Sequence, residues 1–262
     1  MIDIIIAGYP KSGNTWVTRL VAELVGCPVA GFWNSSKINE IAREGQERES
    51  QYQCFKSHDQ WETLSQTIGA GTDLCKVIYV IRDPRDACLS GSHFFKIERC
   101  PLLNRLINKV PLLNGALNNM EKRLISTPRY RLERMINAVL HGDARISKHL
   151  KASWKSHVMP YIENNCFSVR YEDILDDPLS ASIRILQFLE LNRDADLINA
   201  AIRKQSFQAR KSDFQSKKDD RNFRFLRKGA KEQWKQDMTD QQRATFRRAL
   251  SAELSAVGYE IA

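Results

Sequence analysis

The sequence predicts an α/β protein, a central parallel β-sheet flanked by helices, and three observations carry that expectation. Ile4-Ile5-Ile6-Ala7 is an apolar run that passes through a short loop into a segment with Leu20, Val21, Leu24 and Val25 on one helical face. Residues 74–81 form a near-continuous apolar run, the pattern of a strand covered on both faces in a parallel sheet. The 262 residues hold no Pro/Gly/Ser-rich linker and no internal repeat, which suits one large domain over 1–262.

The first strand leads into Tyr9-Pro10-Lys11-Ser12-Gly13-Asn14-Thr15-Trp16-Val17. A loop with a Lys, a Gly and two hydroxyls at a helix N-terminus is a phosphate cradle, because free N–H groups and the helix dipole favour an anion there. Gly8 and Gly13 have the G-x4-G spacing of a nucleotide P-loop, and Thr15 stands where that loop keeps its Ser/Thr. Asn14 occupies the place of the loop's Lys, and the cation sits earlier, at Lys11. Gly26 or Cys27-Pro28 ends the helix. Residues 29–50 read as loop and helix.

Tyr52-Gln53-Cys54-Phe55 alternates like a strand and stops at Lys56-Ser57-His58, so a basic group lies at a strand's C-terminal end, where open α/β sheets bind ligands. The strand over 74–81 ends at Arg82-Asp83-Pro84-Arg85-Asp86, with Asp83 suited to cap a helix whose first residue is Pro84. Ser90 falls two turns into that helix. An Arg fork with a hydroxyl suits a second phosphate. Residues 143–164 read as one long helical pattern leading to a strand at 166–170, and Asp177-Pro178 opens a further amphipathic helix. Residues 211–228, rich in Lys and Arg, read as a solvated, mobile segment that orders when a nucleotide binds.

Composition narrows the classes. At 42% hydrophobic and 27% charged, the chain is ordinary for a globular protein. No stretch reaches the ~20 apolar residues of a membrane span, and the start lacks the basic n-region of a signal peptide. The expected location is the cytoplasm. Six scattered cysteines without a C-x-x-C pair read as reduced thiols and not as a metal site. The net charge of +9 fits an anionic ligand, but no nucleic-acid-binding motif accompanies it, so nucleic acid is not an expected partner.

YPKSGNTW resembles the 5′-phosphosulfate loop of sulfotransferases that use 3′-phosphoadenosine 5′-phosphosulfate (PAPS). KSH is similar to that family's K-T-H segment, and YVIRDPRDACLSGSHFF to its 3′-phosphate segment. SW-x-x-HV at 153–158, VRYEDI with the following DP at 169–178, QSF at 205–207 (Gln205 standing for the family's Thr) and FLRKG at 225–229 also resemble family segments, in order. The resemblance implies the P-loop-like sulfotransferase fold and transfer of a sulfuryl group from PAPS to a hydroxyl, less readily an amine, with adenosine 3′,5′-bisphosphate as product and no metal. It implies that Ser12, Gly13, Asn14 and Thr15 hold the 5′-phosphate and that Trp16 packs against the nucleotide. Arg82 and Ser90 would hold the 3′-phosphate, joined by Arg227, Lys228 and Gly229, while Tyr171, Ser206 and Phe207 line the base. His58 would be the base, Lys11 would neutralise the bridging oxygen, and Lys56 would contact the sulfate.

The family's dimer motif is not intact: Lys235 and Thr239 match, whereas Asp240 and Ala244 replace its Val and Glu. Residues 97–142 have no counterpart; a helical pair covering the core and a lid over the acceptor pocket both fit them. The acceptor, whether small molecule, lipid or carbohydrate, is unread. Two other classes compete. An ATP-dependent small-molecule kinase needs a Mg²⁺-holding carboxylate and the Lys that Asn14 replaces. A non-catalytic nucleotide- or polyanion-binding protein has no use for both Lys11 and His58.

Overall fold

Alternation along the strands assigns each residue to one of two cores. In the computed structural model, which describes residues 1–35, 43–69, 74–97, 127–216 and 229–261, Ile4, Ile6, Ile78 and Val80 face one layer of helices. Ile5, Ala7, Tyr79 and Ile81 face the other. Side chains on a strand point alternately to the two faces, so one short apolar strand seeds both layers.

The sheet runs β2-β3-β1-β4-β5 with every pairing parallel. Its strands are β1 (Ile2–Gly8), β2 (Val29–Phe32), β3 (Tyr52–Ser57), β4 (Cys75–Ile81) and β5 (Ser168–Arg170). From β1 the chain crosses to the β2 edge and returns through β3; from β4 it continues to the opposite edge. The β1 and β4 connections therefore diverge, and a crevice opens at their C-terminal ends.

Helices α1 (Asn14–Val25), α7 (Pro178–Phe188) and α8 (Ala195–Lys204) cover one face. Helices α3 (Pro84–Phe94), α4 (Pro128–His141), α5 (Trp154–Glu163) and α11 (Asp240–Ala256) cover the other, with α2 (Trp61–Ile68) beside α5. Short helices α6 (Tyr171–Asp176), α9 (Phe207–Ser216) and α10 (Trp234–Asp237) complete the described chain. No described helix is long and apolar enough to cross a membrane.

Local signals explain most boundaries. Gly26 ends α1 in the left-handed conformation, its N–H donating to the Ala22 carbonyl. Asp83 caps α3 by accepting from the Arg85 N–H, with Pro84 in the first turn. Thr239 and Gln242 form a reciprocal capping box on α11, so the Thr239 of the partial dimer motif serves inside the chain.

Three expectations need correction. Residues 29–32, read as loop, form edge strand β2; only four residues long and interrupted by Gly31 at φ 122°, it carries too little alternation to be recognised. Residues 143–164 are not one helix: a 3-10 turn at Lys148–Leu150 precedes α5, because Ser147 and Ser153 each cap a new start. Residues 211–216 belong to α9, anchored by buried Arg210 and Phe214; the rest of that stretch, 217–228, lies outside the described residues. Of the unmatched 97–142 stretch, α4 covers the core through Met135, Ile136 and Val139, while residues 98–126 lie outside the described set.

Candidate active site

The crevice at the ends of β1, β3 and β4 opens into a cavity of about 330 Å³. Lys11, Gly13, Asn14, Thr15, Trp16, Lys56, His58, Arg82, Ser90, Tyr171, Phe207 and Gly229 all line it. Ser12 is fully buried beneath the loop. Ser206 is not on the wall; its hydroxyl accepts from the Ala209 N–H at the start of α9. Arg227 and Lys228 lie outside the described residues.

The loop after β1 is shaped by backbone geometry. Lys11 has φ 72° and Gly13 φ 92°. A Cβ on Gly13 would meet the Tyr171 ring at 2.6 Å, so only glycine admits this aromatic against the cradle. Asn14 does work that a Lys could not combine: its amide donates to the carbonyls of Gly8 (3.0 Å) and Ser57 (2.9 Å), tying the ends of β1 and β3 together. The Lys11 ammonium lies 3.7 Å from the centre of the Phe94 ring.

Lys56 reaches over α1 to donate to Thr15 Oγ1 at 2.8 Å and lies 4.8 Å from the Phe32 ring centre. Burial, reinforced by the Arg19 charge, lowers its pKa to about 8. His58 is enclosed by neighbouring side chains yet opens on the cavity. Its Nδ1 lies 2.8 Å from the Gly8 carbonyl oxygen, an atom that only accepts, so Nδ1 carries the proton. Burial, then the Lys56 charge, pushes the imidazole's pKa well below the usual His range, keeping Nε2 unprotonated.

Another histidine of the matched motifs has a different task. His157 is buried, with Nε2 donating to the His58 carbonyl at 3.1 Å and Nδ1 accepting from the Tyr79 hydroxyl at 2.8 Å. Both ring nitrogens are used, and the ring holds the backbone of the catalytic candidate in place.

Across the crevice, Arg82 donates through Nη1 to the Lys11 carbonyl at 2.8 Å and lies 4.3 Å from the Tyr171 ring centre. It thereby links the β4 end to the β1 loop. Trp16 meets Tyr171 edge-on at 5.5 Å and donates through Nε1 to the Gln205 carbonyl at 2.7 Å. A Cβ on Gly229 would meet the Phe207 ring at 2.5 Å, so this glycine brings a chain segment directly against an aromatic face.

Several buried polar atoms have no hydrogen-bond partner among the described residues, including Ser12 Oγ, Asn14 Oδ1 and Arg82 Nε. Buried donors and acceptors are rarely left so. Ser12 and Asn14 stand at the start of α1, whose first-turn N–H groups have no preceding turn to bond, and Arg82 stands just after β4.

Sequence reasoning missed part of the wall. Arg19, Phe32, Phe95, Ser147, His149 and Arg210 also line the cavity. Glu44 bridges two of them, 3.0 Å from Arg19 and 2.6 Å from Arg210. The only available signal was helical spacing: Arg19 follows Thr15 by one turn on α1.

Comparison with known proteins follows the same outline. A family model described as a sulfotransferase domain matches residues 1–258. Sulfotransferase 2A6 of Mus musculus is 26% identical over 262 aligned positions, covering 93% of this chain and 81% of its own. Amine sulfotransferase of Oryctolagus cuniculus is 24% identical, covering 96% and 80%. Among solved structures, mouse sulfotransferase SULT7A1 complexed with PAP superposes with a TM-score of 0.67 at 23% identity, covering 98% of this chain and 86% of that one. Retinol dehydratase in complex with androsterone and PAP superposes at 0.58 and 17%, covering 96% and 80%.

Proposed function

This chain belongs to the sulfotransferase family, and on that premise we propose that it moves a sulfuryl group from PAPS to a hydroxyl, less readily an amine, of an organic acceptor. One observation carries the reading. The Lys11 loop that opens α1, and Arg82 just after β4 with Ser90 on the helix α3 that follows, stand beyond the ends of adjacent strands, on one cavity. A nucleotide bearing phosphates on both its 5′ and 3′ sides needs two separate anion sites, whereas a triphosphate needs one continuous cradle.

The residues fit that nucleotide. Ser12 Oγ and Arg82 Nε, buried without partners, suit phosphate oxygens on the two sides. Gly13, Asn14 and Thr15 present the first-turn N–H groups of α1 to the 5′ side. Trp16, Tyr171 and Phe207 offer aromatic faces for a purine. Ser206 contributes through its place at the start of α9, and Arg227, Lys228 and Gly229 would add to the 3′ side.

PAPS, when bound, supplies the sulfuryl group and leaves as adenosine 3′,5′-bisphosphate. His58 Nε2 takes the acceptor's proton as its oxygen attacks. Lys11 would stabilise charge on the departing phosphate oxygen, and Lys56 would serve the oxygens of the sulfuryl group. Arg82 holds the Lys11 backbone in place while engaging the 3′ side. Free thiols at Cys27, Cys54, Cys75, Cys88 and Cys166 suit a reducing compartment, and we place the protein in the cytoplasm.

Thermal shift separates this reading from its rivals. Adenosine 3′,5′-bisphosphate is expected to raise the melting temperature more than ATP·Mg²⁺ or heparin at equal concentration. A larger shift with ATP·Mg²⁺ would sink the proposal.

A further inference from the structure

The acceptor side of the cavity contains a second imidazole that no local motif announces. His149 sits on the 3-10 turn before α5, its backbone N–H donating to Ser147 Oγ at 3.3 Å. Its ring stands 5.3 Å from that of His58, centre to centre, tilted by 57°. It lies nearly parallel to Phe32, at 6.4 Å and 12°, while His58 is 6.4 Å from the same ring. The two imidazoles and this phenyl thus frame one space, with Phe95 also on the cavity wall.

What distinguishes His149 is that its ring is uncommitted. His157 uses both nitrogens inside the protein, and His58 uses Nδ1. The described residues give no hydrogen bond to the His149 ring, and none joins it to His58. Rings with centres 5.3 Å apart are packed against each other, and both line the cavity, so one small acceptor lying over the pair can reach each of them. Hydrogen bonds of about 2.9 Å from each ring are satisfied by two oxygens that are themselves close neighbours. Lys148, Lys151 and Lys56 disfavour a charge on this imidazole while Asp59 favours one; with burial the largest influence, the balance keeps it neutral. A neutral imidazole donates from one nitrogen and accepts at the other, which suits a hydroxyl.

We propose that His149 is a specificity residue that binds a second hydroxyl of the acceptor, adjacent to the one that attacks, and that the preferred acceptor is therefore a vicinal diol on a flat apolar frame. The flat frame follows from Phe32, stacked under His149 and beside His58. The inference rests on the sulfotransferase reading with His58 as base. The proton of the attacking hydroxyl goes to His58 Nε2, the new oxygen–sulfur bond forms as the sulfur–oxygen bond to the phosphate breaks, and the second hydroxyl stays intact on His149.

The test compares phenol, 1,2-dihydroxybenzene and 1,3-dihydroxybenzene as acceptors with PAPS, for the full chain and for His149→Ala and His149→Asn. Melting with adenosine 3′,5′-bisphosphate is followed in parallel. The wild type is expected to favour the 1,2-diol over phenol in kcat/KM by about tenfold, the worth of one hydrogen bond in a desolvated site. His149→Ala should lose that preference, falling much further on the 1,2-diol than on phenol, while keeping its response to the bisphosphate; His149→Asn should retain part of it. An unchanged preference in His149→Ala overturns the proposal, as does a wild type that treats all three alike or sulfates none. An equal loss on every acceptor with a displaced pH profile also overturns it, marking His149 as a proton carrier. Failure to respond to the bisphosphate would instead remove the donor reading beneath it.

Discussion

His58 donates through Nδ1 to the carbonyl oxygen of Gly8 at 2.8 Å, so the last residue of β1 determines which nitrogen of a histidine after β3 is left for chemistry. The bond crosses between neighbouring strands and commits Nε2 as the acceptor facing the cavity.

Replacing that ring should damage chemistry and spare binding. His58→Ala is expected to lower kcat by about 10²- to 10⁴-fold, the usual worth of a positioned base. Affinity for adenosine 3′,5′-bisphosphate, read by calorimetry, should stay within about twofold. Near-full activity in this variant would remove His58 from the role.

The pH profile of kcat/KM should lack the acid limb of an ordinary histidine. His58 is held well below the usual His pKa, so its base form persists as pH falls through 6.5. On the alkaline side, Lys56 is cationic below about 8 and neutral above it, and kcat/KM should decline there. Lys56→Arg, whose cation does not titrate in this range, should flatten the alkaline limb. A limb unchanged by that substitution would assign it elsewhere.

Arg82→Ala should weaken adenosine 3′,5′-bisphosphate by about ten- to a hundredfold, the range for hydrogen bonds to charged groups. Affinity for adenosine 5′-monophosphate, which has no 3′-phosphate, should change far less. Arg82→Lys should not restore binding, because its donors sit on one nitrogen and cannot span the separate Nη1 and Nε positions that serve the Lys11 carbonyl and a phosphate. Equal losses for both nucleotides would point to a purely structural arginine.

Asn14 is a stability residue as much as a site residue. Asn14→Ala leaves the Ser57 carbonyl without the amide that serves it, and should cost about 1–3 kcal/mol in denaturant unfolding. Asn14→Lys, which restores the nucleotide P-loop pattern on paper, should also destabilise the chain and confer no ATPase activity. Wild-type stability in Asn14→Ala would show that the two carbonyls find other donors.

Much of the candidate donor site was legible because its parts are local. Lys11 to Trp16 occupy one strand-to-helix turn, Arg82 follows a strand that declares itself by continuous apolarity, and Asp83-Pro84 marks the helix after it. The candidate acceptor side was not legible. Phe32 ends a four-residue edge strand, and Ser147 and His149 lie in a turn hidden inside an apparently continuous helical pattern. Arg19 and Arg210 meet through Glu44 across long stretches of chain.

By itself the sequence determined the α/β class, the cradle at Gly8–Trp16 and the basic ends of β3 and β4, because alternation, glycine spacing and caps act over a few residues. Only the tertiary structure decided that Asn14 binds two strand ends, that His58 keeps Nε2 for the cavity and that His149 faces it. Each of these is set by a hydrogen bond or ring contact between strands and turns that meet only once the sheet has closed.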